Sequence, residues 1–76
     1  MNEEQLRGKW QQIRGKVKQR WGRLTDDDLD IIQGRRDELI GKLEEYYGIA
    51  KEEAEKQFRA FLDSQESPAE RERRAA

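Results

Sequence analysis

Large apolar side chains recur along this chain at helical intervals. Leu6, Trp10, Ile13, Val17 and Trp21 are spaced four, three, four and four residues apart, which gathers them on one stripe of an α-helix. Asn2 is placed to cap that helix with Gln5 three residues on. Glu3 and Glu4 suit its positive end and Lys18, Arg20 and Arg23 its negative end, while Gly22 offers a left-handed residue to stop it near Trp21. A single long first helix is expected. The next start signal is the clearest in the chain: Thr25 as N-cap, Asp28 at the third helical position, and Asp26 and Asp27 in the first turn. This second helix carries Leu29, Ile31 and Ile32 and is short, because Gly34 interrupts it. A third begins near Asp37, has Leu39, Ile40, Leu43, Tyr46 and Tyr47 as its apolar face, and ends at Gly48. A fourth runs from about Lys51 to about Asp63, with Glu52 and Glu53 in its first turn and Ala54, Phe58, Phe61 and Leu62 at helical spacing.

The pattern stops at Ser64. Residues 64–76 contain no large apolar side chain, so nothing there offsets the entropy of ordering, and a flexible, charged C-terminal tail is expected beyond a folded domain over 2–63. Within the domain, an offset of 26 residues superposes Gly8, Gly15 and Gly22 on Gly34, Gly41 and Gly48, and Lys16 on Lys42. Leu6 then meets Ile32, Ile13 meets Leu39, Val17 meets Leu43 and Trp21 meets Tyr47, although Trp10 falls on Arg36 and Arg14 on Ile40. Each half reads as an αα-hairpin whose one apolar face is too small to be buried alone. The predicted fold is all-α: a small bundle of about four helices, made of two packed αα-hairpins.

Composition narrows the chemistry. In 76 residues, 43% are charged and 33% hydrophobic, and 16 basic side chains stand against 17 acidic ones for a net charge of −1. The absence of Cys and His removes disulfides, thiolate nucleophiles, imidazole bases and the usual zinc ligands. No apolar run approaches the ~20 residues that span a bilayer, and Met1-Asn2-Glu3-Glu4 is unlike a signal peptide, so a cytoplasmic protein is expected. A core this small leaves little room for a pocket that perturbs a carboxylate pair, so no enzyme and no cofactor is predicted.

Long strings of the sequence are distinctive. These are Gly22-Arg23-Leu24-Thr25-Asp26-Asp27-Asp28-Leu29, Ile32-Gln33-Gly34-Arg35-Arg36-Asp37-Glu38-Leu39, Gly41-Lys42 and Tyr47-Gly48, preceded by Gly8-Lys9-Trp10, Ile13, Gly15-Lys16-Val17-Lys18 and Trp21. Together they closely resemble the CsbD-like family of small bacterial stress-associated proteins, over about residues 2–62. The resemblance implies a compact bundle of short helices, production under general stress and no established biochemical activity, with no catalytic or cofactor residues to carry over.

The residues themselves offer one candidate surface. Residues 1–23 carry seven basic and two acidic side chains, a local charge of +5. On a helical wheel the apolar stripe lies on one side and Gly8, Gly15 and Gly22 lie opposite. Rows with Arg7, Arg14 and Lys18, and with Lys9, Lys16 and Arg23, flank the glycines. Such a strip suits an anion or a partner surface, with weak nucleic-acid or protein binding as the candidate activity. Against this stands the ordinary solvation of Lys and Arg near helix C-termini, and Asp26–Asp30 are placed to fold back and neutralise the strip. Gly8, Gly15 and Gly41 each weaken a helix by about 1 kcal/mol relative to Ala, which suggests close approach of a partner helix or ligand, or else a relict of a duplicated repeat or a tolerated helix weakness.

Other motifs yield to simpler explanations. Asp26, Asp28 and Asp30 begin like a calcium loop, but Ile31 stands where that loop needs Gly, and helix capping accounts for them. The Gly-Lys pairs lack the rest of a phosphate-binding loop. Trp10, Trp21, Tyr46 and Tyr47 have core spacing rather than the layout of a base-stacking platform. The leading functional expectation is a non-enzymatic, monomeric stress protein that binds or protects macromolecules. Its rivals are a nucleic-acid-binding module on helix 1, an interfacial anchor using the same basic amphipathic helix, and a chain that protects by staying disordered.

Overall fold

A computed structural model describes residues 2–65, and the expected tail over 66–76 lies outside the described residues. Five helices follow one another: α1 (Glu3–Gly8), α2 (Trp10–Arg20), α3 (Asp26–Ile32), α4 (Arg36–Tyr47) and α5 (Lys51–Gln65), and the described residues include no strand. The capping signals operate as their residue types dictate. Asn2 and Gln5 form a reciprocal capping box at α1, and Thr25 and Asp28 form another at α3.

One core gathers the apolar stripes of every helix. Leu6, Trp10, Ile13, Val17, Trp21 and Leu24 from the first part meet Leu29 and Ile32 of α3, Leu39, Ile40 and Leu43 of α4, and Ala54, Phe58, Phe61 and Leu62 of α5. Trp21 packs on Phe58 and Phe61 with ring centroids 6.4 and 5.3 Å away, tying the first hairpin (α2–α3) to the second (α4–α5). The two tryptophan N–H groups are satisfied inside: Trp10 Nε1 donates to the Leu29 carbonyl at 3.1 Å and Trp21 Nε1 to Gln57 Oε1 at 3.1 Å.

Local structure departs from the sequence reading at several points. The first helix is broken at Lys9 (φ −101°, ψ 4°), so there are five helices rather than about four. The hydrogen-bond ladder nearly bridges the break, with Lys9 N–H donating to the Gln5 carbonyl at 3.0 Å and Ile13 N–H to the Lys9 carbonyl at 3.1 Å. The step seats α1 on the α3–α4 turn. Gly22 is not left-handed; α2 ends because Trp21 turns out of helical conformation (φ −124°, ψ 81°) to bury its ring. Gly48 does end α4 in the left-handed conformation (φ 62°). Ile31, read as an apolar residue of α3, is 51% exposed, and Tyr46 and Tyr47 are only half-buried. The last helix continues through Ser64 and Gln65, where the Ser64 hydroxyl donates to the Phe61 carbonyl at 2.6 Å.

Gly34 is the glycine on which assembly turns. It sits at φ +80° after the left-handed Gln33, and a Cβ there would stand 2.7 Å from the Arg7 Cα and 3.1 Å from the Leu6 carbonyl oxygen. Backbone meets backbone at that point, and neither side has a flexible end to move aside. Gly15 and Gly41, by contrast, have nothing within 4 Å of the Cβ position. Gly34→Ala is therefore expected to cost about 2 kcal/mol or more in urea unfolding. Gly15→Ala and Gly41→Ala are expected to raise stability by up to about 1 kcal/mol. Equal effects at the three sites would contradict this packing.

Candidate functional site

Arg7, Lys9, Arg14, Lys16, Lys18 and Arg23 do not behave as one surface. Arg14 and Lys18 are one turn apart on α2, and α3 lies alongside them with its acidic residues at matching intervals. Arg14 Nη1 pairs with Asp30 at 2.7 Å and its Nη2 reaches the Asp26 carbonyl at 3.4 Å, while Lys18 Nζ pairs with Asp26 at 2.8 Å. The Lys18 ammonium, by hydrogen bond and by charge, holds the Asp26 carboxyl below its ordinary range. Exposed pairs of this kind add little stability, but they cancel the field of two cations.

Arg23 is also engaged within the chain. Its Nη1 donates to the Tyr46 carbonyl at 2.7 Å, its guanidinium lies 5.3 Å from the Tyr47 ring centroid, and its backbone N–H donates to the Tyr47 hydroxyl at 3.2 Å. It thus caps the C-terminus of α4 instead of extending the basic strip. Arg7, Lys9 and Lys16 are exposed, and their side chains make no hydrogen bond or ion pair with another described residue. The structure divides the six residues evenly: three fasten the fold and three face solvent.

The buried charge of the molecule lies elsewhere, at Asp28, which is 6% exposed. Its carboxylate accepts from the Thr25 N–H at 2.9 Å and from the Tyr46 hydroxyl at 2.8 Å, with the Lys42 ammonium 3.6 Å away. The Thr25 backbone N–H, with help from Tyr46, the Thr25 side chain and Lys42, keeps the carboxyl below its ordinary range despite desolvation. The hydrogen bond to Asp28 raises the Tyr46 phenol above its ordinary range. This cluster joins α3 to α4. Capping chemistry at Asp28 was legible in the sequence; its bond to Tyr46, eighteen residues on, was not.

No metal site follows from the aspartates of α3. Asp26 faces Lys18, Asp28 faces Thr25 and Tyr46, and Asp30 faces Arg14, so the three carboxylates diverge. Among the described residues no group of three or more carboxylates is arranged to hold a metal ion. One concavity, between α4 and α5, is lined by Arg36, Asp37, Ile40, Glu44, Lys51 and Glu55 and is crossed by the Arg36–Glu55 pair at 3.5 Å. Among the described residues no helix is long and apolar enough to cross a membrane.

The Asp28 cluster has a defined pH signature. Because the fold lowers the carboxyl pKa, its stabilisation is complete above the ordinary aspartate value of about 4 and fades as pH falls through the lower value of the folded state. The Tyr46 contribution has the opposite sense, present below pH ~10 and lost as pH rises past its elevated pKa. Thermal melts are expected to show a midpoint that drops below about pH 4, with a shallower drop in Asp28→Asn. At neutral pH that variant is expected to lose about 1–3 kcal/mol. A wild-type acid profile in Asp28→Asn would contradict the assignment.

Comparison with known proteins places the sequence. Residues 4–56 match the family profile described as CsbD-like. The chain is 51% identical over 63 residues to the UPF0337 protein ECA0631 of Pectobacterium atrosepticum, covering 83% of this chain and 91% of that one. It is 54% identical over 57 residues to the UPF0337 protein YjbJ of Escherichia coli K12, covering 75% and 83%. To the UPF0337 protein pc0632 of Protochlamydia amoebophila it is 49% identical over 63 residues, covering 83% and 96%. No solved structure gives a significant match. A profile match through the first four helices, joined to relatives about half identical across most of both chains, makes this protein a member of the CsbD-like family.

Proposed function

We propose that the protein is a non-catalytic, cytoplasmic stress-response protein that binds or shields other macromolecules through its charged exterior. The observation that carries this reading is the fate of Asp28. The one buried charged side chain among the described residues is fully occupied in capping α3 and holding Tyr46, and so serves the fold rather than chemistry. Every buried side-chain nitrogen and oxygen among the described residues has a hydrogen-bond partner, which argues the same way. The family resemblance supports the link to stress. The solvent-facing surface, dense in both signs of charge, is what remains for contact.

A nucleic-acid module on helix 1 has less support, because Asp26 and Asp30 neutralise Lys18 and Arg14 and leave Arg7, Lys9 and Lys16. An interfacial anchor has less still, since the apolar stripe of α1 and α2 is spent in the core.

Protection is directly measurable. A labile enzyme heated or dried with a molar excess of this protein is expected to retain more activity than with an equal mass of an inert globular protein. Equal loss in the two samples would remove the shielding reading. Binding to short duplex DNA that falls steeply with salt and disappears in a Lys9→Ser/Lys16→Ser variant would favour the nucleic-acid reading instead.

A further inference from the structure

Charge is divided unevenly along the chain. Residues 1–23 carry +5, whereas residues 24–65, with six basic and twelve acidic side chains, carry −6. Internal ion pairs cancel only part of this. Lys9 and Lys16 remain exposed and unpaired among the described residues, and they are seven residues apart. Seven residues are nearly two helical turns, so Lys9 at the N-cap of α2 and Lys16 within it stand on about the same side, with their Cα positions about 10 Å apart along the axis. Gly15, about 100° around the helix from Lys16, leaves the backbone bare, with nothing within 4 Å of its Cβ position.

The outer face of α4 is the complement. Asp37, Glu38, Gly41, Lys42 and Glu45 line a shallow notch, and its two acidic walls, Glu38 and Glu45, are also seven residues apart. Lys42 does not neutralise them, because its ammonium sits 3.6 Å from the Asp28 carboxylate and 5.6 Å from the Tyr46 ring centroid. Gly41, between the two glutamates, has nothing within 4 Å of its Cβ position. Two exposed surfaces of one molecule therefore carry opposite charges at the same spacing.

We infer that a second copy of this chain docks on the notch: Lys9, at the N-cap of α2, and Lys16, within it, in one copy pair with Glu38 and Glu45 of α4 in the next. The contact is heterologous, so each copy keeps one free face of each kind and association propagates head to tail. A net charge of −1 offers almost no global repulsion against it. A polyanion would meet the same two lysines, but it would also meet the −6 of the remaining described chain, whereas a second copy offers a matched acidic face. Exposed pairs are weak and screened, so the dilute protein in physiological salt is a monomer. Assembly belongs to high concentration and low ionic strength.

Sedimentation of the full chain across a concentration series decides the matter. Near 0.01 M salt, where the Debye length is about 30 Å, the average mass is expected to climb with concentration. At about 0.15 M, where that length is about 8 Å, it is expected to return toward the monomer mass of 9.1 kDa. Lys9→Glu/Lys16→Glu and Glu38→Lys/Glu45→Lys are each expected to stay monomeric in low salt. Combining all four substitutions restores complementarity in reverse and is expected to recover association. Lys9→Glu/Lys16→Glu with Asp27→Lys/Glu52→Lys has the same net charge but no matched face, and is expected to stay monomeric. These positions are all exposed, and circular dichroism verifies folding of each variant. A wild-type protein monomeric at low salt would overturn the inference whatever the variants do. So would association indifferent to both double variants, a quadruple variant that fails to recover, or an associating control. Binding of duplex DNA through Lys9 and Lys16 by a protein that does not self-associate would reassign the face to nucleic acid.

Discussion

The fold depends on one contact more than on any other, the insertion of Trp21 between the halves of the molecule. The chain abandons helical conformation at this residue and the indole turns inward to meet Phe58 and Phe61, which stack on each other at 6.3 Å with an interplanar angle of 13°. An aromatic residue buries on the order of 150–250 Å², so three of them in contact form a large part of so small a core. The Gln57 side-chain amide oxygen accepts the indole N–H, so the ring is both packed and oriented. A chain with 43% charged residues has few apolar side chains to spend, and this seam is where the two hairpins become one interior.

Around that seam, polar groups act as pins. Trp10 reaches the Leu29 carbonyl, Arg23 holds the C-terminal turn of α4, and Asp28 joins Thr25 to Tyr46. The Arg35 guanidinium closes the end of α3 by donating to the Ile31 and Ile32 carbonyls at 2.6 and 3.3 Å. Among the described residues every charged side chain except Asp28 is therefore left at least partly open to solvent, in a pattern of surface charge. That pattern is patchy because α3 neutralises only the middle of the basic strip.

Much of this was legible in the sequence, for definite reasons. Apolar spacing reports helix faces directly, and fourteen of the fifteen core residues lie on helix faces read from the sequence, all but Leu24. Both capping boxes were read from residue type and spacing, because the chemistry of a cap is local. The folding back of Asp26 and Asp30 on the basic strip was anticipated from charge alone. The break at Lys9 was not, since Leu6 and Trp10 keep helical spacing across it and only the docking of Arg7 against Gly34 reveals why the chain steps there. The repeat misled at its glycines: Gly8 and Gly34 occupy equivalent positions, yet one is exposed in a helix and the other is buried at positive φ. Duplication copies residues, whereas tertiary contact assigns their roles. For the same reason Arg23 was counted with the basic surface although it serves α4, and the Asp28–Tyr46 bond joins two helices that no local pattern relates.

The central claim is that both halves share one interior closed by Trp21. Proton–proton cross-relaxation in solution measures it directly, with the indole Hε1 and ring protons of Trp21 as the probe. Strong cross-peaks from Trp21 to the ring protons of both Phe58 and Phe61 are predicted. A Trp21 indole that exchanges freely with water and shows contacts only within α2 would contradict the account.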